Sequence, residues 1–271
     1  MGNTLEEIHA VQLSLLEDCR RICEAHGIPY YLAQGTLLGA VRHRGFIPWD
    51  DDIDLLFRAD DLDRFMAAFA QDPPPGVSLE HCGQNPWTPY PWVKLKRQGT
   101  ASMPLAYREI PLDWEIGIDL FPYYRVGDGR LAHGLARARF LGAKRLLGVT
   151  LTFCEKKVKW LSRLIRRLPV AWRQRAALWL LEGLKRHQAE GEDVFALCRG
   201  GKFLKRSWIE GARCSGIFEG REYPLPADPD AFLAAMFGDY WLLPPEDQRK
   251  GHDLKLGEIV WDTEKSYRDY L

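Results

Sequence analysis

Four aspartates fall within the run Trp49-Asp50-Asp51-Asp52-Ile53-Asp54-Leu55-Leu56-Phe57. Carboxylate and apolar residues alternate from Asp52 onward. This predicts a strand over 51–58 in which Asp52 and Asp54 share one face while Ile53, Leu55 and Phe57 enter a core. Two like charges about 4 to 5 Å apart repel by roughly 3 to 4 kcal/mol at an effective dielectric of about 20, a cost that a divalent cation offsets. Hard oxygen donors point to Mg2+ or Mn2+. Asp50, Asp52 and Asp54 also fit the first ligand positions of a helix-loop-helix calcium site. There, however, Leu55 stands where the turn needs glycine, Asp61 where the loop needs glutamate, and no entering helix precedes Asp50.

Phosphoryl chemistry with two metals needs a third carboxylate, and Asp119 is the best candidate. It stands alone in Ile116-Gly117-Ile118-Asp119-Leu120-Phe121-Pro122, where an unpaired buried charge is costly unless a cation or donor meets it. Upstream, Ala33-Gln34-Gly35-Thr36-Leu37-Leu38-Gly39 supplies a glycine turn with a hydroxyl just before a helix, whose free amides can hold a phosphate.

The continuous stretch from Tyr31 to Asp54, YLAQGTLLGAVRHRGFIPWDDDID, resembles the signature of the LicD family. Val93-Lys94-Leu95-Lys96-Arg97, Ile118-Asp119-Leu120-Phe121-Pro122 and the tail from Phe237 through Pro244-Pro245 to His252 resemble later blocks of that family. The resemblance implies a nucleotidyltransferase fold related to the fukutin-type transferases. By position, it places Gly35 and Thr36 at the fold's Gly-Ser turn, Asp52 and Asp54 at its paired metal carboxylates and Asp119 at its third, with Asp50 assisting. Lys94, Arg97, Arg42 and His252 become candidates for holding the donor. The implied reaction is transfer of phosphocholine, or a similar substituted phosphate, from CDP-choline or a related CDP-linked donor. The acceptor is a hydroxyl of a cell-surface glycan, such as lipopolysaccharide or teichoic acid, or of its lipid-linked precursor, and CMP leaves. Choline's quaternary nitrogen cannot donate hydrogen bonds, so aromatic faces should receive it, with Trp49, Trp92 and Trp241 as candidates. Two other readings stay open: a nucleotidyltransferase that couples an NTP to a small phosphate and releases pyrophosphate, and a noncatalytic membrane-associated cation-binding module.

These residues need elements to position them. Thr4 and Glu7 form a capping box for a helix from Thr4 to His26, stopped by Gly27. A short strand over 29–33, a Gly35-Thr36 turn and a helix over 37–42 follow, then a helix over 60–70 and strands over 77–81, 93–97 and 116–121. The fold class expected is α/β (α+β), a mixed sheet flanked by helices with a basic helical appendage.

The chain of 271 residues is 46% hydrophobic and 27% charged, the composition of an ordinary globular protein. Its formal net charge is zero, but the charges are segregated. Residues 1–129 carry 11 basic and 19 acidic side chains, residues 130–190 carry 15 and 3, and the remainder 11 and 15. This pattern, with joints at Gly127-Asp128-Gly129 and near Gly200-Gly201, predicts a catalytic core over 1–129, a basic helical region over 130–200 and a C-terminal part over 201–271 that completes the domain. Within residues 155–168, Lys156, Lys157, Lys159, Arg163, Arg166 and Arg167 interleave with Val158, Trp160, Leu161, Leu164, Ile165 and Leu168, a pattern suited to an anionic lipid surface. No zinc-finger spacing or aromatic RNA-binding strand accompanies the charge, which argues against nucleic acid. Six cysteines without a CxxC pair, no leader pattern and no long apolar run predict reduced thiols and a cytoplasmic protein, peripheral on the inner face of the membrane.

Overall fold

In the computed structural model, which describes residues 4–154, 159–249, 251 and 258–271, Thr4 caps helix α1 (Leu5–His26). Its hydroxyl accepts from the Glu7 N–H at 3.3 Å and its own N–H donates to the Glu7 carboxylate at 2.8 Å, so two orphan amides of the first turn are satisfied. Gly27 ends the helix with φ +57°, a left-handed conformation that favours glycine. Then come β1 (Tyr31–Leu32), α2 (Gln34–Arg42), β2 (Asp54–Arg58), α3 (Ala59–Gln71), β3 (Val77–Glu80), β4 (Val93–Arg97), β5 (Ala101–Pro104) and β6 (Gly117–Val126). The chain continues through α4 (Arg130–Gly148), α5 (Trp160–Arg166), α6 (Val170–Arg186), β7 (Asp193–Ala196), β8 (Lys202–Lys205), α7 (Arg206–Ile209), β9 (Cys214–Phe218), β10 (Arg221–Leu225), α8 (Pro229–Phe237) and β11 (Ile259–Asp262).

The architecture is a mixed α/β sheet in the order β1-β2-β6-β4-β3, with β7 on the far half of β6 and β8 on β7. β2 and β6 run parallel and the other pairings are antiparallel. β6 holds the centre because its ten residues are long enough to pair with β2 and β4 at one end and β7 at the other. Leu15, Leu16 and Cys19 of α1 and Phe65 of α3 join Leu55, Phe57, Leu95 and Leu120 of the strands in the main core. A second cluster joins Phe140, Ala143 and Leu147 of α4 and Ala177 and Leu181 of α6 to Tyr124 and Phe195 of the sheet. Small pairs β9–β10 and β5–β11 complete the chain.

Two expectations change. Helix α2 begins at Gln34, so Gly35 and Thr36 lie in its first turn and not in a preceding one. β2 begins at Asp54, so Asp52 is not a strand residue. Consecutive strand residues face opposite ways, whereas here the carboxylates of Asp50, Asp51 and Asp52 converge, which an irregular loop allows. Gly200 and Gly201 lie within the β7–β8 hairpin, which returns the chain to the main sheet. Residues 127–129 lie between β6 and α4.

Candidate active site

Strand register gathers the charged residues. Asp54 at the start of β2 stands opposite Asp119 on β6, and Asp119 stands opposite Lys94 on β4. One row across three strands thus carries two carboxylates and an ammonium, and Lys94 Nζ lies 2.7 Å from Asp119 Oδ1. The backbone of Asp54 is pinned on both sides: its N–H donates to the Thr36 hydroxyl at 2.8 Å, and its carbonyl accepts from the Ala33 N–H at 2.9 Å. Thr36 is buried, so its side chain acts on the site by fixing the start of β2 and not as an exposed phosphate donor.

Helix α1 secures the neighbouring loop. His9 Nε2 donates to the Asp50 carbonyl and Gln12 Nε2 to the Asp51 carbonyl, both at 2.8 Å. A side chain at Gly35 would collide with the Asp50 carboxylate, which therefore packs directly on the first turn of α2. Gly251 plays the same part against the Asp51 carboxylate. Gln34, at the helix start, has φ +46°, a strained value for a side-chain-bearing residue.

The electrostatics suit a cation. Among the described residues, carboxylate oxygens of Asp50, Asp51 and Asp52 lie within 4.8 Å of one another. Burial, then the charges of Asp52 and Asp51, push the Asp50 carboxyl up to about 8. Burial, then Asp52, Asp119 and Asp50, hold Asp54 well above the usual carboxylate range, with Lys94 opposing. A set of hard oxygens that repel one another could hold a divalent cation.

Two clefts meet here, and both are lined by Gln34, Asp52 and Asp54. The first, of about 440 Å³, is aromatic: Tyr90, Trp92, Tyr107, Trp114, Phe121 and Trp261 line it together with Lys94 and Lys144. Tyr90 stacks on Trp92 with centroids 5.2 Å apart, and Tyr107 on Trp114 at 6.4 Å. Beneath them the buried Lys96 ammonium donates to Glu80 at 2.6 Å, and Tyr90 donates to the same carboxylate, so a charged pair orients the aromatic wall. The second cleft, of about 700 Å³, lies between α2 and the tail, where Arg42, Trp49, Tyr240 and Leu243 line it.

Of the residues expected from the sequence, Asp50, Asp52, Asp54, Asp119, Gly35, Lys94, Arg42, Trp49 and Trp92 line one or both clefts. Arg42 donates to the Tyr240 carbonyl at 2.7 Å. Arg97 does not join them. Alternation along β4 turns it to the other face, where it pairs with Asp18 of α1 at 2.8 Å. Trp241 lines neither cleft and is 59% exposed, packed against Tyr240. His252 lies outside the described residues. Gln34, Lys144, Tyr90, Tyr107 and Trp261 were not singled out by the sequence.

Residues 27–130 match the nucleotidyltransferase domain of the LicD/FKTN/FKRP family. The whole chain is similar to the lipopolysaccharide cholinephosphotransferase LicD of Haemophilus influenzae, 26% identical over 95% of this chain and 98% of the relative. The chain carries a LicD-family domain. The human ribitol 5-phosphate transferase FKRP is 49% identical over 41 residues, 15% of this chain and 8% of FKRP. An uncharacterised protein of Rickettsia typhi is 30% identical over 42% of this chain and 38% of its own length. Asp54, Lys94 and Asp119 all fall inside the matched LicD-family segment.

Proposed function

We propose that this LicD-family transferase uses a divalent metal to move a substituted phosphate from a CDP-linked donor to a hydroxyl of a cell-surface glycan or its lipid-linked precursor. The cargo is phosphocholine and CMP is released. The carrying observation is the convergence of two clefts on Asp52 and Asp54, which gives two substrates access to one reacting phosphorus. Mg2+ or Mn2+ held by Asp50, Asp52, Asp54 and Asp119 would supply Lewis-acid stabilisation to the pyrophosphate.

The chain's own groups do the rest. Lys94 and the amides of the first turn of α2 neutralise phosphate oxygens. The acceptor oxygen bonds to the choline-bearing phosphorus as the bond to CMP breaks, and Asp119 takes the acceptor's proton. The ring faces of the first cleft receive the trimethylammonium group, each contributing about 0.5 to 2 kcal/mol. This assigns Trp92, Trp114 and Trp261 to the choline end and leaves Trp49 and Arg42 beside the partner substrate. The name of the Haemophilus relative supports this cargo, and that of FKRP supplies ribitol phosphate as the competitor. Cys19, Cys23, Cys82 and Cys214, which form no disulfide among the described residues, support placement in the cytoplasm.

Thermal unfolding with Mg2+ and a panel of CDP-choline, CDP-ethanolamine, CDP-ribitol and nucleoside triphosphates tests the donor. CDP-choline should stabilise the protein most, and Asp54→Ala should lose that response. A response to triphosphates alone would instead favour pyrophosphate-releasing nucleotidyl transfer.

A further inference from the structure

The basic helical layer leaves large apolar side chains in water. Of the exposed large hydrophobic residues, Leu131, Leu135, Leu141, Phe153, Trp160, Leu164, Leu168, Trp172 and Trp179 all fall in the stretch that carries the excess of positive charge. Three of them are tryptophans, at 75%, 54% and 67% exposure for Trp160, Trp172 and Trp179.

Their placement is regular. On α6 the buried residues Arg173, Ala177, Leu181 and Leu184 face inward. Trp172, Arg175, Trp179 and Arg186, spaced by three, four and seven residues, therefore share the opposite side. On α5, Trp160 and Leu164 lie four residues apart with Arg163 exposed beside them, and the turn that follows exposes Arg167 and Leu168. α6 packs along α4, where Arg139 donates to the Gly183 carbonyl at 2.9 Å, and α4 sends Lys144 into the aromatic cleft. The layer that exposes the tryptophans is thus also a wall of the candidate active site.

We propose that the outward faces of α5 and α6 form a docking surface for an anionic lipid membrane. Tryptophan belongs at the water–lipid boundary, where its apolar body and polar N–H are both satisfied, and arginine stems cover apolar surface while their heads meet phosphate. Interleaving the two along helix faces provides apolar burial and charge attraction together. No helix among the described residues is long and apolar enough to cross a membrane, so the contact proposed is peripheral. The surface does not depend on which phosphate the enzyme transfers. It would hold the active-site cleft near acceptors borne on lipid.

Co-sedimentation of the full chain with vesicles of phosphatidylcholine and phosphatidylglycerol in equal parts, against pure phosphatidylcholine, tests this. The wild type should bind the anionic vesicles, lose binding as salt rises, and show a blue shift of tryptophan emission. Arg163→Gln with Arg167→Gln should weaken binding about 30-fold, from about one kcal/mol for each charge removed. Trp172→Ala with Trp179→Ala should weaken it about tenfold or more. Both pairs are exposed, so unchanged melting temperatures will show that the fold survives. Absence of binding to anionic vesicles, or binding that both double variants retain, would overturn the proposal. So would self-association that is abolished in the tryptophan variant without any vesicle binding.

Discussion

Asp50→Asn should make the metal-free protein more stable at neutral pH while weakening its response to Mg2+. The Asp50 carboxyl titrates near 8 in the fold against 3.8 when unperturbed, because it is buried beside Asp52 and Asp51. A group whose folded pKa is raised binds an extra proton on folding, so stability falls as pH rises from about 4 toward 8. One proton corresponds to about 1.4 kcal/mol per pH unit, hence about 3 kcal/mol between pH 5 and 7. For a chain of 271 residues this is about 5 °C in Tm. Asparagine at position 50 has no such proton to take up, so the slope should become shallower by that amount, leaving the part that the raised Asp54 carboxyl contributes. Mg2+ at about 100 times its Kd should restore about 2.7 kcal/mol to the wild type and much less to the variant. Calorimetry in chelator and then in Mg2+, across that pH range, gives all four curves. Parallel curves for wild type and variant in chelator would refute the electrostatic account of the cluster.

The neighbouring residues separate site from scaffold. Lys94→Met should lower kcat/KM for the donor at least tenfold by removing the ammonium beside Asp119, with the fold retained by circular dichroism. Arg97→Ala should instead cost about 1 kcal/mol of stability by breaking the pair with Asp18 and leave kcat/KM unchanged, as urea unfolding and steady-state kinetics will show. Thr36→Val should cost about 1–3 kcal/mol in urea unfolding because the buried Asp54 N–H loses its acceptor, and Thr36→Ser should recover most of it. Glu80→Gln should cost about 3–5 kcal/mol, since it leaves the Lys96 ammonium buried without its carboxylate.

Local signals carried much of the fold. The Thr4–Glu7 box and Gly27 set the ends of α1, and the apolar residues 55 and 57 marked β2. The aspartates were legible as a metal-binding set, but their geometry was not. Alternation on a strand would pair Asp52 with Asp54, whereas the structure pairs Asp54 with Asp119 through the register of two parallel strands 65 positions apart and brings Asp52 in from a loop. No local spacing encodes that register. Lys94 and Arg97 are three residues apart and similar in type, yet the pleat sends one to the site and the other to α1. Trp241 and Trp261 are alike in sequence, and only the pairing of β11 with β5 makes the second a cleft wall. Lys144 lay hidden because its segment read as a basic surface, while α4 in fact borders the cleft.

The most direct test of the central claim is product analysis of the purified chain incubated with CDP-choline and a glycan acceptor, with Mg2+ or with chelator. The account predicts CMP and a choline phosphodiester on the acceptor in equal amounts, only with the metal, and neither product from Asp54→Asn. Pyrophosphate formed from a nucleoside triphosphate in place of CMP, or turnover that persists in chelator, would contradict it.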